Sequence, residues 1–430
     1  MTFPRMLRRS FFAVCLVVLA IAGCKINTIN YFPPHPAQVR VLNLLPGSTV
    51  DVQITGQPSF TNVAFETITG YQTYVNQSTQ FTVTFSGTST QIGSFTIPLG
   101  GDQPYTLVVY GTSLAPLVTL VAEVAQAPTN GNVQLAVFNA AANNPNLDLY
   151  LTAPGVDIAN VGPNFSFISY SGNSFNLAFA PGTYQIRATV AGTKTVVYDS
   201  GGQVYTPNIA LTFIAYAVGS GTLVNAAVME SKGPYRTLNT IFSRLKAVNA
   251  AAGPGNVNML QDNVPLINGV NYPSGSLYSL AARGNTTVSF EASAAPGTSL
   301  GSVSTTLAPA TDTTAVIAGT DLATTAFVLQ DYNILPASGG NRVRFVNASL
   351  GSRPVNASIT GTQVATGIAF GTASAYVATS PATVTITFTD AETGAVVATQ
   401  GGIVFSANQT LSVYLVGPPG GQGVMVTLDY

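Results

Sequence analysis

The sequence predicts an all-β chain, four tandem antiparallel β-sandwiches of immunoglobulin-like type behind a signal peptide. Three observations predict it. Runs of Val, Ile, Thr, Phe and Tyr alternate with polar residues at period two, broken every 8–12 residues by Gly, Pro, Asn or Ser. No helical period runs over 11 or more residues. One pattern recurs four times: a strand ending in Asn, a Pro/Gly-rich turn, then a strand carrying Asp or Asn.

The copies are Asn43 with Asp51, Asn139 with Asp148, Asn249 with Asn258, and Asn347 with Asn356, and they start 96, 110 and 98 residues apart. A repeat of about 100 residues has the size of a domain with its own core rather than of a solenoid unit. The 430 residues thus read as a string of beads, at 37–127, 131–231, 242–334 and 340–430, each folding largely by itself. Repeat one offers strands near 38–43, 50–54, 62–65, 71–75, 80–86, 91–97, 105–111 and 117–124, and the later repeats echo them. Each bead closes on two apolar strands around a Gly turn, such as Leu411–Val416 with Val424–Leu428. The linker Ser231–Ser243 is expected to hold a helical turn. Leu211 to Met229 is apolar, but Gly219-Ser220-Gly221 splits it, so it reads as a hairpin rather than a membrane span.

Residues 1–23 read as a leader. Arg5, Arg8 and Arg9 precede an uncharged apolar run from Phe11 to Ala22, too short to span a bilayer. The run ends in Ile21-Ala22-Gly23-Cys24, which resembles the lipobox of bacterial lipoproteins. The resemblance implies cleavage before Cys24 and lipidation of its thiol, hence a membrane partner through several acyl chains. Lys25 follows, where an Asp marks inner-membrane retention in Gram-negative lipoproteins, so the outer membrane is implied. Residues 24–36 then form a polar, Pro-rich tether that contains His35, the chain's one histidine.

Composition excludes several classes of function. Charged residues are 7% of the chain, against about 25% in ordinary domains, so Thr, Ser, Asn and Gln must form most of the wet surface. Removing the leader lowers Lys+Arg from 15 to 12 while Asp+Glu stays at 16, a balance of −4. No block of like charge exists, which excludes nucleic acid as an expected partner. Both cysteines, Cys15 and Cys24, precede the beads, so the beads hold no disulfide and no thiolate metal site. With His35 in the tether, neither a Ser-His-Asp nor a Cys-His arrangement can form in the beads. Neither metal nor cofactor is expected, and the chain reads as a non-enzyme. Asp390 and Glu392 read as a hairpin turn, and the Gly-rich 417–423 segment contains no Lys and opens no helix.

Two sets of repeated residues are candidates for a role. Val39, Val41 and Asn43 share a strand face, so Asn43, Asn139, Asn249 and Asn347 point towards the core and are expected to clasp the following turn. Asp51 and Asp148 lie on the opposite face, and their counterparts Asn258 and Asn356 carry no charge, which argues against a carboxylate metal site. Tyr71, Tyr170, Tyr278 and Tyr376 form the second set. They offer either a stacking surface for sugars or core tyrosines of a sandwich.

The string from Ala37 to Asn43, then Pro46-Gly47-Ser48, then Val50-Asp51-Val52-Gln53-Ile54-Thr55-Gly56, resembles the opening of the domain-of-unknown-function 4397 family. Asn62-Val63-Ala64-Phe65 is similar to a later family segment. The resemblance implies a bacterial envelope or secreted module, often in tandem. Where that family often has His, this chain has Asn43, Asn139, Asn249 and Asn347, so a His-dependent role is not implied here. The expected function is a non-enzymatic, lipid-anchored envelope protein, a rod with a structural or adhesive role. The alternative is a surface module that binds a glycan or peptide.

Overall fold

The computed structural model describes residues 35–56, 59–75, 77–124, 126–334 and 339–429. The signal peptide, Cys24 and most of the tether lie outside the described residues. His35 lies within them, exposed, and its Nδ1 sits 2.8 Å from an Asp102 carboxylate oxygen.

Repeat one shows how the sequence becomes a sandwich. Its strands are β1 (Ala37–Asn43), β2 (Thr49–Ile54), β3 (Phe60–Ala64), β4 (Thr67–Ile68), β5 (Gln72–Tyr74), β6 (Ser78–Phe85), β7 (Gln91–Pro98), β8 (Pro104–Thr112) and β9 (Ala115–Ala122). One sheet has the order β3-β2-β6-β7, and the other places β1 between β8 and the short pair β4 and β5, with β9 beyond β8. Only β1 and β8 run parallel; every other pairing is antiparallel. The same parallel closure joins Val133–Ala140 to Ile209–Tyr216, Phe242–Ala252 to Asp312–Thr320, and Asn341–Asn347 to Thr410–Val416. The architecture is the expected immunoglobulin-like sandwich with its own strand order. The period-two alternation places Val39, Val41, Val50, Val52, Phe81 and Val83 between the two sheets, and the other three repeats build equivalent cores.

The first strand of each repeat is buried on both faces, and this alters the picture of separate beads. Leu42, Val108, Tyr110 and Val121 of repeat one pack against Phe138, Ile214, Tyr216 and Met229 of repeat two. Tyr110 meets the Phe138 ring edge-on, with centroids 5.3 Å apart. Repeats three and four meet in the same way through Val248, Val316 and Leu329 on one side and Val346, Tyr414 and Met425 on the other. Each such side chain is worth about 1.5–3 kcal/mol when fully buried. The four sandwiches are thus two face-to-face pairs. A strand covered on both faces reads as a continuous apolar run, which is why the closing strands looked uniformly apolar in the sequence.

Of two local expectations, one is overturned and one is met. The linker after Ser231 forms no helical turn; Tyr235–Thr237 adds an edge strand to the sheet of repeat two, pairing with Asn225–Glu230. Pro234 suits the entry to such an edge strand. The apolar stretch from Leu211 to Met229 is a hairpin, Ile209–Tyr216 with Asn225–Glu230. Among the described residues no helix is long and apolar enough to cross a membrane.

Candidate functional site

The four repeated asparagines occupy one geometry. Asn43 Nδ2 donates to the carbonyls of Ser48 (3.1 Å) and Val63 (2.9 Å), and its Oδ1 accepts from the Leu45 N–H (3.0 Å). Asn139 does the same with Asn144, Ile168 and Ala141. Asn249 bonds Gly255, Val270 and Ala251, and Asn347 bonds Arg353, Ile368 and Ser349. All four are fully buried. Each side chain joins the turn after its strand to the neighbouring sheet, using both its donor and its acceptor. A His cannot present two donors and an acceptor in this plane.

The second repeated position works on a bulge. Pairing slips by one residue at Asp51, Asp148, Asn258 and Asn356. Opposite each slip lies a residue at positive φ: Asn62 (54°), Phe167 (51°), Gly269 (71°) and Gly367 (62°). The N–H of that residue donates to the side-chain oxygen of the Asp or Asn, at 2.8, 2.7, 3.0 and 2.9 Å. The bulge needs an oxygen acceptor rather than a charge, so Asp and Asn exchange freely here. The Asn62 N–H bond, joined by one from the Ser86 hydroxyl, holds the Asp51 carboxyl below its ordinary range.

Both sets are bonded to the chain's own turns and bulges, and the four tyrosines divide between the two pairs of sandwiches, Tyr71 and Tyr170 in one and Tyr278 and Tyr376 in the other. Instead, each of three repeats holds a buried cation three residues before its Asn: Arg40, Lys246 and Arg344. Arg40 makes a fork to Glu123, with Nε and Nη2 each 3.0 Å from a carboxylate oxygen. It then reaches across the pair to the carbonyls of Gly233 (2.8 Å) and Glu230 (3.0 Å) in repeat two. The Tyr71 ring lies 4.4 Å from the guanidinium, and its hydroxyl donates to Glu123. In the second pair the partners are exchanged. Lys246 Nζ of repeat three lies 2.6 Å from Asp429 of repeat four, while Arg344 of repeat four bonds Asp331 of repeat three. Tyr278 and Tyr376 cover these cations. Burial pushes the Asp331 carboxyl up, against the opposing pull of Arg344.

Repeat two lacks both halves of this arrangement. Ala136 stands in register with Thr212 where Arg40, Lys246 and Arg344 face Thr106, Thr314 and Ser412. Ser231 replaces the closing carboxylate, and its hydroxyl bonds the Val124 carbonyl of repeat one. Tyr170 accordingly packs edge-on against Tyr110 instead of under a cation. The paired loss was visible in the sequence as Ala136 with Ser231; without the pairing of strands, nothing tied those two positions together.

The same repeat carries a cleft of about 350 Å³ where its two sheets part, between the Gln203–Thr206 segment and the added edge strand. Tyr205, 2% exposed, lines it, and its hydroxyl has no hydrogen-bond partner. Burial pushes that hydroxyl up to about 12. Arg236 and Glu230 also line the cleft, and Arg236 Nη1 donates to Gln203 Oε1 at 3.1 Å. Leu211 and Val228 form an apolar wall.

Other candidates from the sequence resolve as turns. Asp390 Oδ1 accepts from the N–H groups of Glu392 and Thr393, and Glu392 forms an exposed ion pair with Arg353. The 417–423 segment connects two antiparallel strands. Among the described residues, no group of three or more His, Cys, Asp or Glu stands close enough to hold a metal ion.

Fold and repeat together define a tandem β-sandwich protein whose sandwiches associate in pairs. The family model described as "Domain of unknown function (DUF4397)" matches residues 37–150, 243–358 and 342–430, and the chain belongs to that family. The stretch between 150 and 243, which holds the cleft, lies outside the matched regions. A search of curated proteins found no match. Among solved structures, one of family 41 carbohydrate-binding modules from streptococcal virulence factors, described for α-glucan recognition, aligns at 11% identity and TM-score 0.17, covering 41% of this chain and 93% of its own. A product complex of a multi-modular glycogen-degrading pneumococcal virulence factor aligns at 7% identity and TM-score 0.18, covering 84% and 37%. At these TM-scores neither likeness bears on what the chain binds.

Proposed function

We propose that the chain is a non-enzymatic, lipid-anchored protein of the bacterial cell envelope with a structural or adhesive role. One observation carries the reading: the buried cations and carboxylates join one sandwich to the next. Arg40 ties repeat two to repeat one, and Lys246 and Arg344 exchange carboxylates between repeats three and four. Side chains held in this way brace a scaffold. Cys24 supplies the anchor and Lys25 directs it to the outer membrane in this reading. Metabolic labelling with a palmitate analogue tests the anchor. The wild type is expected to label and to fractionate with the outer membrane, and a Cys24→Ala variant that still labels would overturn it.

The second reading, a surface module that binds a glycan or peptide, is favoured by the repeat-two cleft and its unpartnered Tyr205 hydroxyl.

A further inference from the structure

Repeat two differs from its three relatives in four ways that converge. It has lost the buried cation and its carboxylate, at Ala136 and Ser231. It gains the edge strand Tyr235–Thr237. It lies largely outside the matched family regions. It also holds the cleft that this edge strand helps to form.

The lining sets the chemistry of an occupant. Tyr205 is almost wholly buried, and a buried hydroxyl without a partner costs free energy unless something in the cleft bonds it. Arg236 has Gln203 as its side-chain partner and forms no ion pair among the described residues. Glu230 adds acceptors only, so donors and acceptors both face the cleft with no net charge. The wall of Leu211 and Val228 suits the C–H face of a ring. A rigid molecule with many hydroxyls, one apolar face and no charge meets all of these conditions.

We propose that the repeat-two cleft binds a neutral saccharide, with Tyr205, Arg236 and Gln203 as its hydrogen-bonding groups. This rests on the second reading above and names its ligand class; the anchored scaffold does not depend on it. A charged sugar would bring Glu230 or Arg236 against a like charge.

The test uses the full chain in detergent, with calorimetry and saturation-transfer NMR against maltotriose, cellotriose, chitotriose, trigalacturonate and trialanine. At least one neutral trisaccharide is expected to bind with a Kd in the millimolar range or tighter. Tyr205→Phe keeps the ring and removes the hydroxyl; it is expected to weaken binding roughly fivefold while the melting temperature of the free protein holds or rises. Arg236→Ala is expected to weaken it roughly tenfold or more. No binding by any neutral trisaccharide overturns the proposal, as does binding that both variants leave intact or a preference for trigalacturonate. Binding of trialanine alone overturns it while sparing the broader reading, and binding of none of the five probes counts against both.

Discussion

Arg344 of the fourth sandwich finds its carboxylate on the third, at Asp331, while its own closing carboxylate, Asp429, serves Lys246 of the third. The exchange is reciprocal, as in an interface between two-fold-related copies. Removing one partner strands the other charge inside the pair. Asp331→Ala should therefore destabilise the chain by about 3–5 kcal/mol, whereas replacing both partners, as Asp331→Leu with Arg344→Met, should cost far less. Denaturant unfolding of the single and double variants checks this.

Acid should reveal the bulge position. The bonds from the Asn62 N–H and the Ser86 hydroxyl depress the Asp51 carboxyl. Its charged form thus contributes stability above the unfolded carboxyl's range near pH 4, and that stability is lost as pH falls through the lower folded value. Asp51→Asn keeps the oxygen acceptor and should cost under about 1 kcal/mol at neutral pH. Stability curves between roughly pH 5 and 2 should be flatter for this variant than for the wild type.

Asp331 should act in the opposite sense. Burial raises its carboxyl in the folded chain, so the folded state holds its proton where the unfolded state has released it. Stability from this group is present below the unfolded value and falls as pH rises through the folded one. Asp331→Asn should remove that fall, seen as a smaller loss of melting temperature from acid towards neutral pH.

The asparagine clasp tolerates no acid. Asn139 donates to the carbonyls of Asn144 and Ile168, each at 3.0 Å. Asn139→Ala should cost about 2–4 kcal/mol by leaving buried backbone groups unpaired. Asn139→Asp should cost at least as much at neutral pH, because its carboxylate faces two carbonyl oxygens, and should recover in part on acidification. Thermal melts at pH 4 and 7 separate these outcomes.

Packing between sandwiches should be worth as much as packing within them. Phe138 is buried against Tyr110 at the face between repeats one and two. Phe138→Ala should destabilise by about 3–5 kcal/mol. Proteolysis should then cut first between repeats one and two, in the 126–132 segment, which the wild type should protect longer.

Local pattern made the sandwiches legible. Period-two runs located most strands, and Val39, Val41 and Asn43 already shared a face in the sequence. The pairing of sandwiches was not legible, because alternation reports one buried face and cannot say what covers the other. The roles of Arg40, Lys246 and Arg344 were not legible for the same reason: their carboxylates lie 83, 183 and 13 residues away. The cleft was hidden because Tyr235–Thr237 sat in a linker that read as holding a helical turn rather than an added strand.

The double-sided burial of each first strand sets a rule of parity. A sandwich of this kind has one face that must be covered by a like neighbour, as Val248 and Val316 are by Val346 and Tyr414. Three such sandwiches would leave one apolar sheet bare to water, a surface that recruits a second molecule. A body cut after residue 334 should therefore dimerise or aggregate more readily than the intact chain.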